Sequence, residues 1–146
     1  MRETSYFHDG YTQPGFIRAV PLLHGELRFT FRPALVEQRS QLVDAAGRLK
    51  SDAYDRHVAT FLAEKLVGWD LADESGRDVA ISATNLLRLH PEVFIKLHRI
   101  VLGWIASDID PRWSDDDQQD VVEDQYESAL AGQTVGEARQ ERIEKN

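Results

Sequence analysis

Hydrophobic residues recur along this chain at two spacings, and the switch from one to the other marks out its elements. Residues 26–32 alternate strictly, with Leu27, Phe29 and Phe31 on one side and Glu26, Arg28, Thr30 and Arg32 on the other. That period of two is a strand with one wet face. A shorter β-branched and aromatic run at 16–20 precedes it, and Pro21 and Gly25 bracket the link between them. The two runs predict a hairpin, which cannot stand alone and must lay its apolar face on something. Behind it the spacing changes to that of a helix. Pro33 suits a first turn, followed by Leu35, Val36, Leu42, Val43, Ala46 and Leu49, and this helix is the expected support of the hairpin.

A second helical run covers 52–67, with Tyr54, Val58, Phe61, Leu62, Leu66 and then Trp69 on one face; Gly68 is the expected left-handed stop. From 70 to 79 the chain is acidic, contains Ser75 and Gly76, and has no period, so a turn is expected. Ser82 is placed to cap a short helix reaching Leu89, and Pro91 to open the next. Val93, Phe94, Leu97, Ile100, Val101, Trp104 and Ile105 then form the strongest helical stripe in the chain and the expected centre of the core. Beyond Pro111, Ser114 with Asp115, Asp116 and Asp117 resembles a capped helix start, Val121, Val122, Tyr126, Ala129 and Leu130 give a thin apolar face, and Gly132 can end it. The reading is an α+β protein, a short N-terminal β-hairpin packed on a mainly α-helical domain of four to five helices. Its expected parts are an irregular arm at 1–15, a core at 16–107, an acidic helical extension at 108–132, and a flexible tail at 133–146 with too little apolar surface to repay its ordering.

Charge sharpens this picture once it is located. The net charge is −8, yet residues 1–107 hold 13 basic and 13 acidic side chains, and residues 108–146 hold 4 and 12. A neutral body with an acidic end lacks the basic surface that phosphates require, so no nucleic-acid partner is expected. No apolar run approaches the roughly 18 residues of a membrane span, and the first residues lack the apolar core of a secretory signal, so the expectation is a cytoplasmic protein without a membrane partner. The absence of cysteine excludes disulfides and thiolate metal sites.

The side chains that could carry chemistry are not spaced for it. His8, His24, His57, His90 and His98 contain no metal-binding pair at helical spacing, and the acidic turn lacks the ordered oxygen ligands of a calcium loop. Nucleophile elbows, phosphate loops and dinucleotide fingerprints are missing, and the carboxylates of 108–127 sit on an expected solvated helix where burial cannot tune them. The chain is therefore read as a binding protein with no cofactor, no metal and no enzymatic activity. Trp69 and Trp104 are expected core anchors. Trp113 stands outside the strong stripes, so it either contacts a partner or covers the end of the 93–105 helix.

The stretch from 66 to 104, LVGWDLADESGRDVAISATNLLRLHPEVFIKLHRIVLGW, joins a Gly-Trp-Asp-Leu stop, an acidic glycine-containing turn, a Ser/Thr-capped short helix and a final amphipathic helix. In this order the elements resemble the tail assembly chaperones of long-tailed bacteriophages. The likeness covers about residues 62–106 and extends more weakly to the hairpin and the Phe-Arg-Pro at its end; Trp69, Asp70, Leu71, Asn85 and Leu86 carry most of it, with Gly68 as part of the connector. The N-terminal arm and Trp113 fall outside the pattern. The resemblance implies a helper in the host cytoplasm that binds the tape measure protein and keeps it soluble while the tail tube protein assembles around it, with self-association adding avidity. The expected partner groove is formed by the short 82–89 helix and the edges of the following stripe, with Leu86 and Leu87 as contacts. Two other classes fit the same sequence: a tail-completion or other virion component, and an acidic adaptor or nucleic-acid mimic acting through 108–127.

Overall fold

The alternating run forms a strand, β2 (Leu27–Phe31), with Leu27, Phe29 and Phe31 buried. It pairs antiparallel with β1 (Gln13–Ile17), Gln13 opposite Phe31 and Ile17 opposite Leu27. The first strand thus begins inside the expected arm and ends three residues before the expected limit. Proline is tolerated at position 14 because β1 is an edge strand. Gly15 is required, since a Cβ there would lie 2.4 Å from the Phe29 ring. The structure, a computed structural model, describes residues 5–113. The helix expected at 114–132 and the tail at 133–146 lie outside them.

The chain is of mixed α+β class, but the sheet has three strands rather than two. Helix α1 (Val36–Arg48) is followed by α2 (Ser51–Lys65), which runs directly into β3 (Leu66–Trp69). Strand β3 pairs antiparallel with β2, Phe29 opposite Trp69 and Thr30 opposite Gly68, and Val67 bulges out before Leu66 meets Phe31. Hydrogen bonds from Arg32 N–H to the Lys65 carbonyl (2.9 Å) and from Asp70 N–H to the Arg28 carbonyl (3.0 Å) pin its two ends. Gly68 is therefore a strand residue and not the left-handed helix stop that was expected. That role falls to Gly103, φ 78°, which ends α4 (Pro91–Leu102). Its neighbour Trp104 donates its N–H to the Arg99 carbonyl, the bond that closes such a cap. Leu-Val-Gly-Trp and Val-Leu-Gly-Trp read alike locally; the difference is that only the first has the open edge of β2 to pair with.

The core lies between the apolar face of the sheet and the helices. Ile17, Leu27, Phe29 and Phe31 meet Val58, Ala59 and Leu62 of α2 and Val93, Leu97, Ile100 and Val101 of α4. Backbone approaches run from β1 to α4 and from β3 to α2, so these two helices support the sheet more closely than α1 does. Helix α1 starts later than Pro33 led one to expect, with Leu35 N–H donating to Gln38 Oε1 at its entrance (2.8 Å). It faces inward through Leu42 and Ala45 only, while Leu35, Val36 and Val43 are exposed. Ser82 caps the short helix α3 (Ala83–Leu86) as expected, accepting a hydrogen bond from Asn85 N–H at 3.1 Å, but the helix ends three residues before Leu89. No helix among the described residues is long and apolar enough to cross a membrane.

After α4 the chain returns to the sheet and closes its outer edge. Phe16 N–H donates to Ser107 Oγ (2.7 Å), Asp108 N–H to the Phe16 carbonyl (3.0 Å), and Arg18 N–H to Asp108 Oδ2 (2.9 Å). Asp108 also pairs with Lys96, and the buried Asp110 receives Arg28, Nε to Oδ2 at 2.9 Å. Burial pushes the Asp110 carboxyl up, but the Arg28 guanidinium and the Arg112 amide outweigh it and hold it below its ordinary range. Arg28 also contacts Glu26 and lies 4.8 Å from the Phe16 ring centre. The first residues of the acidic extension are thus fastened to the body. Ser107→Ala leaves the buried Phe16 N–H without its acceptor and should cost about 1–3 kcal/mol in urea unfolding; an unchanged midpoint would show that the return segment does not hold β1.

Candidate binding cleft

Three separate parts of the chain enclose an open cleft of about 770 Å³. One wall is the end of the β1–β2 connection, Leu23 to Leu27; the second is the connector after β3, with Asp70, Leu71 and Asp73; the third is Asn85 with Arg88, Leu89 and His90, and Val93 of α4 behind it. Each wall is locally fixed. Asp70 Oδ1 accepts the Arg28 N–H at 2.8 Å, which ties the connector to β2. Asp73 Oδ1 accepts the N–H groups of Ser75 (2.8 Å) and Arg77 (3.0 Å), and Gly76, φ 83°, completes the turn. A short antiparallel bridge between Ala72 and Asp78 follows from it. The lack of any period from 70 to 79 is explained by a tight turn built on side-chain to backbone bonds.

Trp69 and Asn85 brace this wall from inside. The Trp69 indole donates to the Val79 carbonyl at 2.6 Å, and Asn85 Nδ2 donates to the Ala80 carbonyl at 2.8 Å. Trp69 is half-buried against the core, as its reading as an anchor requires. Asp70, Leu71 and Asn85 line the cleft, while Gly68 and Trp69 stand behind it. Leu86 does not fit its expected role as a partner contact: it is fully buried, 0% exposed, in the core between α3 and its neighbours. Leu86 is the last residue of a one-turn helix that packs on α2, and a side chain buried there cannot reach a partner. Leu87 is 43% exposed but lies outside the cleft lining. Trp113 is half-buried at the end of the returning segment, its N–H bonded to the Asp110 carbonyl at 3.0 Å.

The cleft also gathers residues that no local pattern had singled out. His24 and His90 come within 5.5 Å, ring centre to ring centre, from opposite walls. His90 Nδ1 accepts the Glu92 N–H at 3.1 Å and so caps α4, whereas His24 Nδ1 lies 2.8 Å from the Gly25 carbonyl, where it must donate. In the neutral rings this leaves an N–H at His90 Nε2 and a lone pair at His24 Nε2. The pair therefore offers one donor and one acceptor rather than two ligands for one metal ion. No group of three or more His, Asp or Glu side chains among the described residues is placed to hold a metal. Beside the cleft the connection turns through Leu22, which is wholly exposed and has φ 66°. A leucine in that conformation costs roughly 1–2 kcal/mol, and it gains no burial in return.

What the arrangement offers is a mixed surface. Leucine and valine side chains are interspersed with His24 and Glu26 on the first wall, Asp70 and Asp73 on the second, and Arg88 and His90 on the third. Such a surface suits an amphipathic segment rather than a small charged substrate. Comparison with protein-family models, with curated proteins and with solved structures finds no match to the chain.

Proposed function

We propose that this protein is a tail assembly chaperone of a long-tailed phage, acting in the host cytoplasm, and that it binds apolar helical segments of a tape measure protein in the cleft beside α3. The observation that carries the proposal is the convergence of the connector residues. Asp70, Leu71 and Asn85, which carry the resemblance in sequence, line adjoining walls of one cleft, and Trp69 and Leu86 are buried or half-buried behind them. The pattern thus marks a binding feature and its support together. The cleft replaces the groove expected around Leu86 and Leu87. Its apolar side chains can take the hydrophobic side of a helix, and its charged ones can pair with the polar side. The account is one of binding, with no catalytic step and no cofactor. The acidic-adaptor reading is weakened because Asp108 and Asp110, the first acids of the segment it relies on, point into the body and are paired there.

Co-expression tests this. The tape measure protein encoded beside this chain should be recovered in the soluble fraction several-fold more with the chaperone than without it. Leu23→Asp, at a half-exposed position on the cleft wall, should remove most of that gain while the circular dichroism of the protein is unchanged. Equal solubility with and without the protein, or recovery of the protein as a constituent of purified particles, would turn the assignment to a virion component.

A further inference from the structure

The turn that carries Leu22 departs from the usual chemistry of a chain reversal. Where φ is positive, turns use glycine, asparagine or aspartate, which take the left-handed region with little steric cost. Here residues 19–25 read Ala-Val-Pro-Leu-Leu-His-Gly, with no Asp, Glu, Lys or Arg among them. The left-handed position, φ 66°, falls on Leu22, and among the described residues nothing covers its side chain in return. Val20 and Leu23 beside it are exposed as well, so the tip presents three apolar side chains to its surroundings. We propose that Leu22 is a partner-binding residue, an apolar anchor that grips the amphipathic helix received by the cleft at the point where that helix leaves it. The assignment rests on the reading of the cleft as the seat of a tape measure helix.

Continuity, rigidity and chemistry point to this role. Leu23, the next residue, lines the cleft, so the contact surface passes from the first wall directly to Leu22. The tip is held by its own backbone. Val20 and His24 form an antiparallel bridge, Val20 N–H donating to the His24 carbonyl (3.0 Å), while the N–H groups of Leu23 and His24 both donate to the Val20 carbonyl (2.9 and 3.1 Å). The His24 ring rests against that of His90, which joins the tip to the start of α4. A side chain fixed in this way is in place before a partner arrives, so binding loses little loop entropy. Backbone strain that surrounding bonds maintain is a feature of ligand clamps. Finally, an exposed leucine offers nothing to a charged ligand, but it can seat between side chains three and four apart on the apolar edge of a helix. The fold and the partner therefore place opposite demands on position 22: glycine or asparagine would serve the turn, and leucine serves the contact.

Stability and affinity should accordingly move in opposite directions. In the full-length protein, Leu22→Asn and Leu22→Gly should unfold at a urea concentration equal to or above that of the parent, yet bind an amphipathic helical segment of the adjacent tape measure protein at least tenfold more weakly. The asparagine variant separates loss of the apolar side chain from the added flexibility of glycine. Leu22→Met, which keeps an apolar side chain, should stay within about threefold of the parent affinity. Arg56→Ala, exposed on α2 and outside the cleft lining, should bind as the parent does. Parent-like affinity of both Leu22→Asn and Leu22→Gly, with Leu23→Asp still lowering it, would overturn the anchor and leave the reading of the cleft standing. Affinity indifferent to both positions, or no binding by the folded parent, would remove that reading and the anchor with it. A urea midpoint below that of the parent for both variants would show that the leucine serves the fold, and loss of self-association in place of segment binding would give the tip to a second copy; either result overturns the proposal.

Discussion

Leu86→Asp is expected to unfold the domain, whereas Leu87→Asp, one residue further on, should leave it folded. The two leucines are equivalent in sequence, both sitting in the Asn-Leu-Leu of the capped short helix, but Leu86 is wholly buried and Leu87 is 43% exposed. Helix α3 is only four residues long and packs on α2. It has too few hydrogen bonds to persist without that contact. Truncation to alanine at Leu86 should cost about 2–5 kcal/mol. A carboxyl group in the same site is worse, because it must be buried without a partner. Its cost is then comparable with the roughly 5–15 kcal/mol that holds an ordinary domain together. Urea unfolding followed by tryptophan fluorescence reads both variants. A cooperative transition for Leu86→Asp at the parent midpoint would mean that α3 does not dock where the structure puts it, and the wall of the cleft would fall with it.

The second large effect is loss of stability in weak acid. His98 lies on α4 between the rings of Tyr54 and Trp104, and its Nε2 is buried with no hydrogen-bond partner among the described residues. Burial pushes the imidazole down to about 4, Arg99 pushes the same way, and Asp55 opposes them. The folded protein therefore keeps this ring neutral at a pH where the unfolded chain, with an ordinary histidine near 6.5, already binds a proton. Stability is full above about 6.5, falls as the pH drops from there, and levels off below about 4. A difference of this size corresponds to about 3 kcal/mol across the window. His98→Phe keeps an aromatic ring between Tyr54 and Trp104 and removes the titration, so its unfolding midpoint should change little between pH 7 and 4.5 while that of the parent falls. Asp110 does not confuse the comparison, because its carboxyl is held below the usual carboxylate range and its contribution is lost at lower pH. Parallel pH profiles for the parent and His98→Phe would show that the ring is hydrated.

Much of this fold could be read from local spacing. The alternation at 26–32, the cap at Ser82, Pro91 at the first turn and the inner stripe of α4 are each fixed by neighbours within a few residues, and each stands in the structure. Features that depend on distant partners were not legible. Strand β3 looks like a helix end until β2 is placed beside it, and Gly15 looks like a loop residue until the Phe29 ring is laid over it. The outer valines of α1 have the same helical spacing as its inner leucine, so period alone could not separate them. The cleft was half visible. Asp70, Leu71 and Asn85 stood out as a connector, but nothing in the sequence joins them to Leu23 and His24 some fifty residues earlier. That link is made by the Arg28 to Asp70 hydrogen bonds across the sheet.

The measurement closest to the central claim is a binding titration of the full-length protein with an amphipathic helical segment of the tape measure protein, using the parent, Leu23→Asp and Arg56→Ala. The account predicts saturable binding by the parent, with affinity weakened at least tenfold, or about 1.4 kcal/mol, by a charge at Leu23 and unchanged by the α2 substitution. Binding that is indifferent to Leu23→Asp, or no binding by the folded parent, would contradict it.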